Sequence, residues 1–399
     1  MNIFKKGFCR VYQFCFHLAL PVLPYREPKK LKSTDEIAQE IKKLSISSVL
    51  LVTDDFLRKS GLTASLEKSL ADNNIRCSVY DETHPNPTVG NVDEALCLYS
   101  ENGCKALIAF GGGSAMDCAK ATGARVAYKG RSLDKLKGNL RIFRKLPSLF
   151  AIPTTAGTGS EVTVTAVITD DVKKHKYTMN SFPLIPHYAV LDARVTYSLP
   201  PHLTSTTGMD AMTHAVEAYI GNSTSKETRR LSKEAVKLII ENVQTAYNEP
   251  NNHTARENML IAAYKAGIAF SKSYVGYVHA VAHSLGGQYN IPHGLANSVL
   301  LPIVLEAYGE KVHKKLWELA VYCGVASESD TITLGAEKFI VKIRELNKSM
   351  NIPTVIKGIK KEDIPAMAKH ADKEGNPLYP VPVLMDAKEL EKFYYAVME

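Results

Sequence analysis

The first half of the chain alternates short apolar runs with segments of helical periodicity. The apolar runs are compact, which is typical of strands buried on both faces of a parallel sheet; they cover residues 48–54, 106–110, 149–154 and 188–192. Helical patterns at 63–73 and 89–102 lie between them, and Gly103 is the expected C-cap of the second. This alternation predicts an α/β layer in which helices connect parallel strands.

The pattern changes near residue 200. Before it, residues 162–170 alternate at period two, which predicts an antiparallel pair with a strand near Tyr177. After Pro200 and Pro201 the strand signals almost vanish, and long helical patterns follow at 208–220, 226–247, 254–270 and 278–285. We therefore predict an α/β domain over residues 1–199 and an all-helical domain over residues 200–399.

The composition is that of a globular protein large enough for two domains. The 399 residues are 45% hydrophobic and 23% charged, which excludes disordered, collagen-like and disulfide-scaffold classes. The formal net charge is +8, but the sequence contains no Lys/Arg cluster interleaved with aromatic residues. A solvated basic surface is therefore expected, and no nucleic-acid partner.

The cysteines and the N-terminal segment bear on the compartment. Seven cysteines form an odd set without a CxxC pair, which indicates reduced thiols and a cytoplasmic protein. Lys5, Lys6 and Arg10 precede an apolar stretch at 14–23 that resembles part of a secretory signal, but Pro21 interrupts it. The stretch is also shorter than the roughly 20 residues that span a bilayer. We interpret it as a packed or interfacial segment without stable membrane insertion.

Two loops rich in small residues follow predicted strands. Residues 106–120 read ALIAFGGGSAMDCAK, so a strand runs into three glycines and Ser114 opens a helix whose free N–H groups suit a phosphate. Neither GxGxxG nor GxxxxGK[ST] is present, and a plain strand–helix turn remains an alternative. Residues 151–161, AIPTTAGTGSE, add several hydroxyl groups. Two such loops at one sheet edge favour a ligand crevice.

Five side chains of the second half suit a transition metal. Asp210 and His214 are spaced i, i+4 on a predicted helix, and so are His279 and His283. A Gly-Gly pair is expected to end the second helix, and the following turn returns His293 toward it. Neutral imidazoles with one carboxylate suit Zn²⁺ or Fe²⁺. Five candidates for three or four ligand positions leave one histidine for acid–base work.

Four motifs in one order carry a family resemblance. GGGSAMDCAK, PTTAGTGSEVT, GMDAMTHAVEAY and HAVAHSLGGQYNIPHGLAN resemble the iron-containing (group III) alcohol dehydrogenases, which include lactaldehyde:propanediol, butanol and propanediol dehydrogenases. The similarity runs from about residue 47 to residue 305. It implies an α/β dinucleotide-binding domain followed by an all-α metal-binding domain, a dehydroquinate synthase-like architecture.

The resemblance also implies roles for individual residues. Asp210, His214, His279 and His293 would bind Fe²⁺, with Zn²⁺ as the other possible metal, and His283 would relay a proton. The positions that would contact the cofactor are Asp54, Asn86, Gly112, Gly113, Ser114, Asp117, Thr154, Thr155, Thr158 and Lys176.

The end of the first predicted strand bears on the choice between NAD and NADP. In the family, an acidic residue at the position of Asp54 contacts the adenosine ribose, and its charge repels a 2′-phosphate; this favours NAD over NADP. A strand-terminal aspartate that only caps the next helix is the alternative.

The expected function is hydride transfer between NAD(H) and a short primary alcohol or aldehyde, or a small diol. Family resemblance also leads us to expect a homo-oligomer. The alternatives are a zinc glycerol dehydrogenase-like or a dehydroquinate synthase-like enzyme of the same superfamily. More distant ones are a metal-dependent hydrolase of phosphorylated substrates and a non-catalytic binding protein.

Overall fold

The computed structural model describes residues 1–19, 23–171 and 175–399. They form two compact units: Pro24–Leu199 is one, and Met1–Leu23 together with Pro200–Glu399 is the other. We call them the α/β unit and the helical unit.

The α/β unit is built on a parallel sheet of six strands. In its described residues the strands are β1 (Lys29–Leu31), β2 (Ser48–Val52), β3 (Arg76–Tyr80), β4 (Ala106–Gly111), β5 (Gly138–Asn139), β6 (Ser148–Pro153), β7 (Thr165–Asp170), β8 (His175–Asn180) and β9 (Tyr188–Val190). The six-stranded sheet has the order β1-β9-β6-β4-β2-β3, and all its pairs are parallel. The predicted parallel α/β layer is confirmed.

Helices cover both faces of this sheet, which explains why its central strands are apolar throughout. They are α2 (Ile37–Lys43), α3 (Asp55–Lys59), α4 (Ala64–Asp72), α5 (Val89–Glu101) and α6 (Gly113–Ala127). Alternate residues of β2 enter opposite cores: Leu50 packs with residues of α5 and α6, and Leu51 with residues of α2 and α4. The predicted antiparallel pair is also present, because β7 pairs with β8 from Thr165 to Asp170.

The sheet places three candidate cofactor segments at one edge. β2, β4 and β6 are neighbours, and Gly111 at the end of β4 lies in register with Pro153 at the end of β6. Because all three strands are parallel, three segments follow their carboxyl ends side by side: Asp54, the loop of residues 111–113 (the glycine loop) and the loop of residues 154–161 (the threonine loop).

The helical unit contains the metal-ligand candidates. Its helices are α1 (Ile3–Ala19), α7 (Pro201–Ile220), α8 (Lys226–Asn248), α9 (His253–Ser273), α10 (Tyr277–Tyr289), α11 (His293–Tyr308), α12 (Glu310–Tyr322), α13 (Ile332–Ser349), α14 (Ile364–Gly375) and α15 (Ala387–Val397). α7 packs against α8, α9 and α11 and is buried along most of its length. None of the described helices combines the length and apolarity needed to cross a bilayer.

Two boundaries differ from the sequence-based expectation. The Gly286-Gly287 pair does not end α10; the helix continues to Tyr289 and ends at Asn290, whose φ of 55° is left-handed. The first residues of the chain also differ from the expectation. Residues 1–199 were expected to form one domain, but α1 packs on the helical unit. The apolar stretch predicted at 14–23 includes Leu20–Val22, which lie outside the described residues.

Candidate metal centre and nucleotide loops

Three helices bring one carboxylate and three imidazoles together. Asp210 and His214 lie one turn apart on α7, His279 lies on α10, and His293 begins α11. One potential ligand atom from each lies within 4.8 Å of the others. Asp210 Oδ1 is 3.4 Å from His293 Nε2 and 3.9 Å from His279 Nε2. The structure therefore brings together the four residues that the family resemblance implied as metal ligands.

The imidazoles lie in a mostly buried setting, and burial favours the neutral form of His279 and His293. The rings of His214 and His279 stack with centroids 4.5 Å apart. The ring of Phe270 also stacks with that of His214, with centroids 4.2 Å apart. Burial lowers the pKa of His293 to about 4 and that of His279 well below its usual value. Neutral imidazoles are the form that binds a metal ion.

Glu217 orients His279 from behind. It lies on α7, one turn after His214, and its Oε2 accepts a hydrogen bond from His279 Nδ1 at 2.6 Å. The same buried carboxylate accepts from the backbone N–H groups of Gly276 at 2.7 Å and Val278 at 2.8 Å, at the start of α10. Burial raises the pKa of Glu217 to about 7. With the proton on Nδ1, the lone pair of His279 Nε2 points into the cluster.

His279 Nε2 gives a test of whether a cation fits. It is buried and has no hydrogen-bond partner among the described residues. A buried acceptor without a donor is unfavourable by roughly 1–3 kcal/mol, whereas a cation would satisfy it. Three imidazole nitrogens and one carboxylate oxygen also match the ligand preference of Fe²⁺ or Zn²⁺. The residues present therefore fit a divalent transition metal.

His283 stands beside the cluster and is partly exposed. Its Nδ1 lies 2.6 Å from Glu374 Oε1, and Tyr379 donates its hydroxyl proton to the same oxygen at 2.7 Å. The ring stacks on His293 with centroids 5.0 Å apart. Burial alone would lower the pKa of His283, but the charge and hydrogen bond of Glu374 raise it.

Sequence analysis missed three polar residues of this region. Glu217 continues the Asp210–His214 face of α7 at i, i+4, i+7, so the spacing was a usable signal. Asn297 lies four residues after His293 and donates from Nδ2 to Asp210 Oδ1 at 2.6 Å. Glu374 is 91 residues from His283 and left no signal in the local pattern.

In the α/β unit, the glycine loop packs against the threonine loop. Thr154 N donates to Gly111 O at 3.0 Å, and a Cβ on Gly113 would lie 3.0 Å from the methyl group of Thr158. Larger side chains in the glycine loop would therefore push the two loops apart. Gly112 precedes the first turn of α6, so backbone N–H groups remain free there for an anion.

The remaining predicted cofactor residues lie around these loops, with different partners. Asn86 N donates to Ser114 Oγ at 3.3 Å, which places that segment against the start of α6. Asp54 caps α3 by accepting from Leu57 N at 2.9 Å, as the alternative interpretation expected. A Cβ on Gly111 would nevertheless lie 3.9 Å from Asp54 Oδ2, so the carboxylate stands beside the glycine loop.

Asp117 and Lys120 hold the threonine loop from below. Asp117 accepts from Ser160 Oγ at 2.9 Å and from Val167 N at 3.0 Å, so both its carboxylate oxygens are engaged within the protein. Lys120 is fully buried, with its Nζ 2.9 Å from Ser160 Oγ and 2.8 Å from the Thr165 carbonyl. Burial lowers the pKa of Lys120 to about 8.

Two more predicted residues lie apart from this network. Thr155 is partly buried and contributes the atom nearest to a Cβ on Gly112, at 3.4 Å. Lys176 lies on β8 in register with Thr169, and burial lowers its pKa.

Comparison with known proteins identifies the family. A model of the iron-containing alcohol dehydrogenases matches residues 30–193, and a model of the C-terminal part of the Fe-containing alcohol dehydrogenase family matches residues 204–398. The chain belongs to the iron-containing alcohol dehydrogenase family. The predicted family and fold class are confirmed, and the glycerol dehydrogenase, synthase and hydrolase alternatives are not favoured.

Several named proteins are similar to this chain over most of their length. Alcohol dehydrogenase 4 of Saccharomyces cerevisiae is 38% identical, over 84% of this chain and 87% of its own length. The 1,3-propanediol dehydrogenase of Klebsiella pneumoniae is 36% identical, over 85% and 89%. Among solved structures, sulfoacetaldehyde reductase from Bifidobacterium kashiwanohense in complex with NAD⁺ superposes with a TM-score of 0.84 at 28% identity, covering 94% of this chain and 98% of its own.

Proposed function

We propose that this iron-containing alcohol dehydrogenase transfers a hydride between NAD(H) and a short primary alcohol or aldehyde, or a small diol. The observation that carries the proposal is the cluster of Asp210, His214, His279 and His293 within 4.8 Å, together with the buried lone pair of His279 Nε2. The named relatives, an alcohol dehydrogenase and a propanediol dehydrogenase, support the substrate class.

The cluster would hold Fe²⁺ or Zn²⁺ through the four candidate ligands. A bound metal of this kind supplies Lewis-acid chemistry at the oxygen of the alcohol or aldehyde. The protein's own contribution is to fix the ligands. Glu217 holds the His279 tautomer, and Asn297 donates to the Asp210 carboxylate, so both ligands are oriented in advance.

His283 would move the proton that accompanies hydride transfer. Its Nδ1 is engaged by Glu374, so Nε2 of this partly exposed ring is the atom available to exchange a proton with substrate or solvent. Glu374 holds the ring in place and stabilises its protonated form, as the raised pKa of His283 indicates.

The nucleotide would bind at the carboxyl edge of β2, β4 and β6. Ser114 and the glycines before it would hold the pyrophosphate at the start of α6, where the helix offers free N–H groups. Asp54 would accept a hydrogen bond from the adenosine ribose, and its charge would select NAD over NADP. Asp117 contributes by tying α6 to the threonine loop.

Anaerobic NADH oxidation with a panel of short aldehydes tests the proposal. Metal-stripped protein should be inactive, and added Fe²⁺ or Zn²⁺ should restore turnover. His279→Ala should lose metal and activity but bind NADH, whereas the control His313→Ala, on α12 outside the cluster, should keep both. Turnover that is unaffected by stripping, or NADH binding without turnover under either metal, would contradict the proposal.

The cytoplasmic location and the homo-oligomer stay predictions. All seven cysteines are free thiols, which supports a reducing compartment. Light scattering after size-exclusion chromatography would measure the mass in solution, and a monomer would contradict the second prediction.

A further inference from the structure

Three polar side chains of helix α1 contact the rest of the helical unit. Gln13 is buried and donates from Nε2 to the Tyr379 carbonyl at 2.6 Å. Arg10 donates to two backbone carbonyls of the segment that follows Tyr379, at 2.7 and 2.8 Å. Lys5 pairs with Asp372 at 2.8 Å. These contacts hold α1 on the helical unit through the side of the helix that would ordinarily face water.

The opposite side of α1 is apolar along its whole length and faces solvent. At 100° per residue its members fall within an arc of roughly 140°. The large side chains among them are 61–86% exposed. Seven of the seventeen exposed large hydrophobic residues in the described part of the chain lie on this one helix. We define the outer face of α1 by Ile3, Phe4, Gly7, Phe8, Val11, Phe14, Cys15 and Leu18. A contiguous patch of six large, exposed apolar side chains on a protein surface normally marks an interaction site.

Charge indicates what covers the outer face. α1 carries Lys5, Lys6 and Arg10 and no acidic residue, and Lys6 is exposed beside the outer face. Lys5 is paired with Asp372, but Lys6 and Arg10 form no ion pair with a carboxylate among the described residues, so two copies of α1 packed face to face would bring these two cations together. An apolar, aromatic-rich face flanked by cations is instead complementary to an anionic lipid surface.

The helix also lies outside the part of the chain that the family models match, since these begin at residue 30. None of the candidate metal-binding, proton-transfer or cofactor residues named above lies on it. We propose that α1 binds the surface of anionic lipid bilayers, lying along the bilayer with its outer face in the boundary between headgroups and acyl chains. The helix rests on the surface and does not cross the bilayer, consistent with its length of 17 residues.

Co-sedimentation of the full-length protein with vesicles tests this inference. One set of vesicles contains equal parts phosphatidylcholine and phosphatidylglycerol, and the other phosphatidylcholine alone. We expect binding to the anionic vesicles that is about fivefold or more stronger than to the neutral ones, because each cation near an anionic surface adds about 1 kcal/mol.

Substitutions distinguish binding through the outer face from non-specific binding through other exposed apolar residues. Phe4→Gln/Val11→Gln/Leu18→Gln should weaken vesicle binding by about tenfold or more, since three inserted apolar side chains are lost. The matched control replaces three exposed apolar residues of the α/β unit, in the variant Phe56→Gln/Leu140→Gln/Phe143→Gln, and should bind as the wild type does. If the triple change in α1 perturbs folding, Phe4→Gln alone replaces the most exposed of the large apolar side chains of the helix.

Three results would overturn the inference. The first is wild-type protein that stays in the supernatant with anionic vesicles. The second is equal binding of the α1 variant and its control. The third is a solution mass of the α1 variant below that of the wild type, combined with no vesicle binding by the wild type. That result would assign the outer face to contact with a second copy of the chain. Light scattering measured on the same samples distinguishes the third result from the first.

Discussion

Replacing Glu217 by glutamine should weaken metal binding by about 10- to 100-fold while leaving the protein folded. The wild-type carboxylate accepts three hydrogen bonds: Oε2 from Gly276 N and His279 Nδ1, and Oε1 from Val278 N. Glutamine is the same size but offers only one oxygen, so its NH₂ group must oppose at least one of these donors. The most favourable placement keeps the oxygen toward Gly276 and His279 and sets the NH₂ group against Val278 N–H.

The magnitude follows from those contacts. One buried backbone donor loses its acceptor, which lowers the free energy of unfolding of the metal-free protein by about 1–3 kcal/mol. The hydrogen bond that holds His279 also changes from a charge-assisted to a neutral one, so the Nε2 lone pair becomes a weaker and less well-oriented ligand. The two effects are separable, because only the second acts on the metal.

Chelator competition on metal-stripped protein gives the affinity for Zn²⁺, and urea unfolding of the same protein gives its stability. The matched control is Glu318→Gln: Glu318 also touches α7, where it accepts from the Tyr219 hydroxyl at 2.5 Å, but it contacts no ligand candidate. A stability loss with unchanged Zn²⁺ affinity would refute the orienting role and leave Glu217 as a cap for α10.

Four further outcomes are expected. Lys120→Met should lower the free energy of unfolding by about 2 kcal/mol in urea titrations, because the acceptors around its Nζ lose their donor; an unchanged midpoint would contradict this. Burial lowers the pKa of His187 to about 4, below its unfolded value near 6.5. The free energy of unfolding that depends on neutral His187 is therefore fully present above pH 6.5 and is lost as the pH falls toward 4, and His187→Gln should reduce that loss by on the order of 2 kcal/mol. Asp54→Ser keeps a capping oxygen but removes the charge, and should raise kcat/KM with NADP⁺ relative to NAD⁺ by about tenfold or more; an unchanged ratio would leave Asp54 a cap only. Removing the metal should lower Tm, and adding Zn²⁺ at about 100 times its Kd should restore roughly 2.7 kcal/mol; a Tm that does not respond would argue against the cluster as a metal site.

Residue spacing was enough to predict the centre of the α/β unit but not its edges. β2, β4, β6 and β9 are covered on both faces and therefore read as apolar runs. β1 has three residues with only Leu31 buried, and β3 is an edge strand of mixed burial, so neither has a distinct pattern. The strands that escape prediction are those whose environment is set by tertiary neighbours rather than by a local pattern.

The metal-ligand candidates could also be recognised from a local pattern, because i, i+4 spacing on a helix places Asp210 next to His214. The extent of α10 was not. Gly286 and Gly287 have no left-handed φ, and the helix ends only where Asn290 adopts one. Tertiary packing outweighs the roughly 1 kcal/mol that each glycine disfavours a helix. Long-range partners such as Glu374 are brought in by the fold and leave no trace in the neighbouring sequence.

The contact between α1 and the rest of the helical unit has a consequence during synthesis. Gln13 and its partner Tyr379 are 366 residues apart in the chain. At 5–20 residues per second, roughly 20–70 s pass between the synthesis of one and the other. The α/β unit, which is continuous from Pro24 to Leu199, can fold within that interval, but the surface that receives α1 does not yet exist. Until the last helices leave the ribosome, both sides of α1 are open to chaperones or to any nearby lipid surface.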